Sequence, residues 1–158
     1  GAVFQQGSTG GLRMASDAIV FEAFFRVNDL ARDNFRNVAR LKCRSDTYQM
    51  EMELDVNVEL YPVEVGEQYN VHLATSINLD GSQGEDVFDQ SGRKTRADDF
   101  EYAMYGKVFQ YKENKTTKKI SAYVSFGGLL MKLTGDPRNF EKINAESNLY
   151  LLMKKATN

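Results

Sequence analysis

The chain holds one cysteine, Cys43, and one histidine, His72. A structural zinc site takes four nitrogen or sulfur ligands, and these two cannot supply them. A nucleophilic Cys–His pair remains open on composition alone. Against it, Cys43 lies in an apolar, strand-like stretch where a thiol reads as a small buried hydrophobe. His72 also falls in a strand, its face undetermined. The carboxylates Asp80, Glu85, Asp86, Asp89, Asp98 and Asp99 could gather around a hard cation, but their spacing matches no calcium loop, and Arg93, Lys94 and Arg96 partly neutralise them. Gly81 and Gly84 lack the Lys and Ser/Thr that follow the glycines of a phosphate loop. No catalytic set, metal set or cofactor site emerges, so the expected function is binding.

Two groups of residues suit binding. Arg26, Arg32, Arg36, Arg40, Lys42 and Arg44 gather near Phe25 and Phe35. Cations with aromatics can hold a single nucleic-acid strand through phosphate contacts and base stacking. Arg36, Arg40, Lys42 and Arg44 share one parity, so a strand would line them on one face; a solvated face is the plainer alternative. A second group, Lys112, Lys115, Lys118 and Lys119, reads as a solubilising turn. The other binding candidate is Gly127, Gly128, Leu129, Leu130 and Met131. Its glycines suit a tight hairpin, and three large apolar residues in a row place side chains on both faces of a short strand. Some of them need a cover, either a partner surface or other parts of the same chain.

These residues must be positioned by strands. Residues 48–60 alternate Tyr48, Met50, Met52, Leu54, Val56, Val58 and Leu60 with polar side chains, the period of a strand with one wet face. At 13 residues it reads as a long, bent strand, joined by a turn at Ser45, Asp46 and Thr47 to a strand over 35–45. Further strands are expected at 18–27, 68–77, 100–111, 119–126, 129–134 and 147–154. A bulge or bend is expected at Gly106. Eight strands with almost no helical periodicity argue for a nearly closed antiparallel barrel, which removes exposed edges. One short helix is expected at 137–145, with Asp136 as its cap and Pro137 in its first turn, plugging or flanking a barrel end. Residues 78–99 read as a long mobile loop.

The 158 residues fit one domain, expected over 14–158, with residues 1–13 (GAVFQQGSTGGLR) reading as an expression remnant. Hydrophobic residues make up 42% and charged residues 27%, which supports a packed core rather than a disordered chain. A net charge of −2 makes any polyanion contact local and weak. No apolar run approaches the roughly 20 residues of a membrane helix, and no membrane partner is expected. A single thiol suits a reducing compartment such as the nucleus or cytosol.

Five segments carry a family resemblance: IVFEAFFRV at 19–27, LDVNVELYPVEVG at 54–66, DDFEYAMYGKVF at 98–109, SAYVSFGGLLMKLTGD at 121–136 and LYLLMKK at 149–155. They resemble the eighth subunit shared by the eukaryotic nuclear RNA polymerases I, II and III. The resemblance implies an OB-like barrel of about eight strands. It implies a non-catalytic structural and assembly role, in the nucleus and nucleolus, docked on the largest polymerase subunit and its neighbours. It places the glycine-leucine segment Gly127 to Met131 at that interface. It also implies weak, non-specific single-stranded DNA binding through the first hairpin, with Arg32, Arg36, Arg40, Lys42 and Arg44 the candidates. The alternatives are a free-standing OB-type module for single strands and a small-ligand barrel, which would need an apolar cavity.

Overall fold

The computed structural model describes residues 18–33, 37–77 and 96–156. The expectations for residues 1–13, for Arg36 and for most of the loop at 78–99 lie outside them. Among the described residues there are eight strands: β1 (Ile19–Asp33), β2 (Val38–Ser45), β3 (Met50–Asn57), β4 (Gln68–Ala74), β5 (Tyr102–Asn114), β6 (Lys119–Phe126), β7 (Leu129–Gly135) and β8 (Asn148–Lys155). They close into an antiparallel barrel in the order β1-β2-β3-β7-β6-β5-β8-β4.

Closure depends on two long strands that each change neighbour midway. β1 pairs with β4 up to Arg26 and with β2 from Arg26 onward. β5 pairs with β8 up to Lys107 and with β6 from Lys107 onward. Each carries a bulge just past its switch, between Val27 and Asp29 and between Val108 and Gln110. An extra residue sharpens the local twist and bends the strand, as a barrel corner requires. The long bent strands are therefore β1 and β5, not the stretch at 48–60. The bulge sits at Phe109 rather than at Gly106. Gly106 serves a close approach instead, since a Cβ there would lie 2.2 Å from the Ser125 carbonyl oxygen.

The alternation that suggests a strand to Leu60 ends at Asn57. The Asn57 side-chain oxygen accepts hydrogen bonds from the N–H groups of Glu59 and Leu60, both at 3.1 Å, and turns the chain. Leu60 is left 75% exposed, and Tyr48 is also outside the barrel, in the turn before β3.

Phe25, Leu41, Leu54, Leu73, Leu133 and Leu151 are among the side chains that fill the barrel. β8 is apolar on both faces because Tyr150 and Leu152 pack outward under Ala97 and Phe100. The 3-10 turn Arg96–Asp99 leads into that cover. The expected helix at 137–145 is a 3-10 turn over Pro137–Phe140. Asp136 caps it as expected, accepting the Arg138 N–H at 2.9 Å. Phe140 and Ile143, three apart, both enter the core, and the Tyr111 hydroxyl donates to the Ile143 carbonyl, so no continuing helical ladder forms. The turn closes one barrel end.

A tyrosine cluster anchors the end of β8. Tyr61 stacks on Tyr102 with ring centroids 5.1 Å apart and donates to Glu101 at 2.5 Å. Glu101 also accepts the Lys155 N–H at 2.9 Å. Tyr69 donates to Glu67, which is ion-paired with the Lys155 ammonium.

Candidate interaction surface

The four-residue turn at 46–49 sets the register of the first hairpin, and that register decides what the basic stripe is. Arg40 stands directly opposite Asp55, Lys42 opposite Glu53 and Arg44 opposite Glu51. On its other side Lys42 faces Asp29 of β1. Directly paired residues share a face, so three exposed cations meet three carboxylates on the outer wall. Arg32 does not join them: it pairs with the fully buried Ala39 and so takes the opposite face of the ribbon. Of the predicted nucleic-acid residues, Arg40, Lys42 and Arg44 are brought together, Arg32 is turned away and Arg36 lies outside the described residues.

The glycine-leucine segment forms the β6–β7 hairpin. Phe126 pairs with Leu129, so Gly127 and Gly128 are a two-residue loop, with φ of +65° and +102°. Positive φ at both central positions matches the twist of the flanking strands, and glycine adopts it without strain. Leu129 leans on the core and Met131 is inside the barrel at 2% exposure, whereas Leu130 points outward at 40%. Met131 is thus a core residue, its side chain unavailable to a partner. Own-chain packing covers Leu129 and Met131, and Leu130 alone of the three leucine-methionine side chains needs an outside cover.

Asp55 holds the root of this hairpin. Its carboxylate is almost completely buried, takes a forked ion pair from Arg40 at 2.7 and 3.0 Å, and accepts the backbone N–H of Leu130 at 3.0 Å. The backbone pairing of β3 with β7 runs only from Glu51 to Leu54, and the side chain carries it one residue further. The Asp55 hydrogen bond pushes the Arg40 guanidinium above its ordinary value. Beside Leu130, the bulged Phe109 is 52% exposed, with Tyr123 between it and Lys132. Sequence reasoning missed Asp55, Phe109 and Tyr123. The break in alternation across Val108, Phe109 and Gln110 was the available signal for the bulge.

The Cys–His pair does not form. Cys43 points into the barrel, where burial pushes its thiol up to about 12. His72 points outward, 3.2 Å from Glu22 and edge-on to Phe100. Among the described residues no group of three or more His, Cys, Asp or Glu side chains could hold a metal ion. The carboxylates Asp80, Glu85, Asp86 and Asp89 lie outside them.

Residues 22–155 match the family model of RNA polymerase Rpb8. The chain belongs to the Rpb8 family. The matched segment runs from Glu22, the fourth residue of β1, to the last of β8 and includes Asp55 and the Gly127–Gly128 hairpin. Among relatives of this Rpb8 family chain, the Arabidopsis thaliana protein named DNA-directed RNA polymerases II, IV and V subunit 8B is 43% identical over 90% of this chain and 99% of its own. The Dictyostelium discoideum protein named DNA-directed RNA polymerases I, II, and III subunit rpabc3 is 38% identical over 88% of this chain and 99% of its own. The Saccharomyces cerevisiae protein named DNA-directed RNA polymerases I, II, and III subunit RPABC3 is 35% identical over 86% of this chain and 97% of its own.

Proposed function

We propose that this Rpb8 family member is a non-catalytic structural and assembly subunit shared by the nuclear DNA-directed RNA polymerases I, II and III. The observation that carries this reading is similarity over nearly the whole length of several proteins named as shared polymerase subunits. The barrel is consistent with it: the interior is filled by side chains rather than shaped around a ligand, and apolar side chains stand uncovered on its wall. In this reading polymerisation chemistry belongs to the large subunits. The chain docks on the largest one through Gly127, Gly128, Leu129 and Leu130, with Met131 supporting the strand from inside. It resides in the nucleus, including the nucleolus.

The test is affinity purification of the tagged protein from its own cells, followed by mass spectrometry. The expected result is recovery of the large subunits of all three enzymes. Recovery without any large polymerase subunit overturns the proposal.

The stripe of Arg40, Lys42 and Arg44 supports at most a weak contact with single-stranded DNA, because Asp55, Glu53 and Glu51 oppose it residue for residue. We propose binding that weakens as salt rises, since each phosphate contact releases condensed counterions. Fluorescence anisotropy of a labelled oligothymidine across a salt series checks it, and salt-independent binding removes the claim.

A further inference from the structure

A second cationic wall of this barrel lies away from the one the sequence suggests, and fewer carboxylates oppose it. The outward positions of β5 from Tyr105 to Lys112, and those of β6 and β7, include Lys107, Lys112, Lys119 and Lys132 and no carboxylate. Glu53 of β3 stands directly across from Lys132 and also across from Lys42, and Asp136 lies in one depression with Lys119. Glu53 is thus shared between Lys132 and Lys42, whereas Arg40 faces Asp55, Arg44 faces Glu51 and Lys42 faces Asp29 as well.

The same wall carries the apolar feature. Phe109, Tyr123, Leu130 and Met131 line a shallow depression of about 120 Å³, with Arg40, Lys132 and the carboxylate Glu53 around it. The bulge between Val108 and Gln110 is what turns Phe109 outward into it. The Lys112 and Lys132 ammonium groups sit 5.6 and 5.9 Å from the Tyr123 ring centre. The centre is therefore apolar and the frame mainly cationic, with Arg40, Lys112 and Lys132 against Glu53.

We propose that this wall seats an acidic, apolar-centred segment of the partner protein, with an apolar side chain in the depression and carboxylates on Lys112 and Lys132. The proposal rests on the partner-bound reading above and adds the location and the chemistry of the occupant. Charge complementarity selects an acidic ligand. The apolar centre selects protein over nucleic acid. Stacked bases need open aromatic faces, and the Tyr123 ring already has two lysines over it. A chain of alternating acidic and apolar residues satisfies both parts of the surface at once.

The test places a photo-crosslinker at position 109 (Phe109→p-benzoylphenylalanine) in cells, with Phe24→p-benzoylphenylalanine on another wall as the control. The assembled enzyme is purified through a tag and the adduct mapped by mass spectrometry. The expected adduct joins position 109 to a polymerase segment in which acidic residues flank an apolar one. An adduct with nucleic acid, with a basic segment or with a second copy of this chain overturns the proposal. So does efficient recovery of polymerase with no adduct at 109. Failure of the unaltered protein to recover any polymerase subunit overturns the subunit reading itself, and this one with it.

A charge test reads the same surface without a crosslinker. Lys112→Glu with Lys132→Glu should cut recovery of polymerase by about tenfold or more, and Lys42→Glu with Arg44→Glu by no more than about twofold. Equal losses from the two pairs overturn the placement. Thermal unfolding of the isolated variants confirms that each folds, and Lys112→Gln with Lys132→Gln replaces the first pair if it does not.

Discussion

The carboxylate of Asp55 accepts the backbone N–H of Leu130 at 3.0 Å, so a side chain of β3 completes the hydrogen bonding of β7 where the two strands part. The exposed tip of the β6–β7 hairpin is thereby tied to the interior of the barrel. Arg40 makes the arrangement tolerable, since a buried carboxylate with one N–H partner would be poorly compensated. A surface residue and an interior one are held by a group that belongs to neither β6 nor β7.

Removing Asp55 leaves the Leu130 N–H unmet, while removing Arg40 leaves a buried charge with a single partner. Each of Asp55→Ala and Arg40→Ala should destabilise the isolated domain by about 2 kcal/mol in urea unfolding. The double variant should cost less than the sum, with a coupling of about 1 to 2 kcal/mol. A coupling below about 0.3 kcal/mol would place this pair with ordinary surface ion pairs.

At the hairpin tip the constraint is backbone conformation, because a Cβ on Gly127 or Gly128 meets nothing within 4 Å. Gly127→Asn should be close to neutral, as Asn tolerates the left-handed region and Asn-Gly is a favoured pair for this turn. Gly128→Val should cost about 1 to 3 kcal/mol, since a β-branched residue resists φ of +102°. Thermal unfolding of the two variants checks the order.

Alternation made the strands legible, and a glycine pair between apolar runs made the β6–β7 hairpin legible. Leu60 misled because nothing in the apolar pattern signals that Asn57 captures the next two N–H groups and ends the strand. The charge pairing misled for a different reason. Arg40, Lys42 and Arg44 were visible, as were Glu51, Glu53 and Asp55, but which faces which depends on the length of one turn. Expecting three turn residues rather than four shifts the register. Phe109 was hidden because a bulge adds a residue to the period, and Met131 read as a surface candidate because parity across the Gly-Gly loop was not yet fixed.

Two glycines inside strands test close approach rather than φ. A Cβ at Gly106 would meet the Ser125 carbonyl oxygen at 2.2 Å, backbone that cannot move without shifting β6. At Gly135 the nearest atoms belong to the flexible Met50 side chain, at 2.7 Å and beyond. Gly106→Ala should therefore cost about 3 kcal/mol and Gly135→Ala about 1 kcal/mol in chemical unfolding. The reverse order would mean that β5 and β6 can slide apart here.

Alkaline conditions should unfold the domain before they damage it. Burial pushes both the Cys43 thiol and the Tyr69 hydroxyl up to about 12, and Tyr61 is raised by burial and by its bond to Glu101. A folded-state pKa above the unfolded value means that the unfolded chain ionises first. The stabilising contribution is whole below about pH 9 and is lost progressively as pH rises from 9 to about 12. Urea midpoints at pH 7 and 9 should be close and that at pH 11 clearly lower, and Tyr69→Phe should reduce the last step. Native Cys43 should also resist thiol reagents at pH 8 until the chain opens.

Leu130 and Met131 are neighbours in sequence and opposites in environment, which separates docking from folding. Leu130→Glu adds a charge to a side chain that already meets water, so the isolated domain should lose no more than about 0.5 kcal/mol. In the assembled enzyme the same carboxylate would be trapped in an apolar contact at a cost of several kcal/mol, and recovery of polymerase should collapse. Met131→Ala removes a fully buried side chain from the barrel, and unfolding should come about 2 to 5 kcal/mol more easily. Its outward surface, however, is unchanged, so the fraction that remains folded should still assemble. Thermal unfolding and polymerase recovery, measured on both variants, should respond in opposite order. If Leu130→Glu instead unfolds the isolated domain, or if it leaves assembly intact, Leu130 is not the outward anchor of the hairpin.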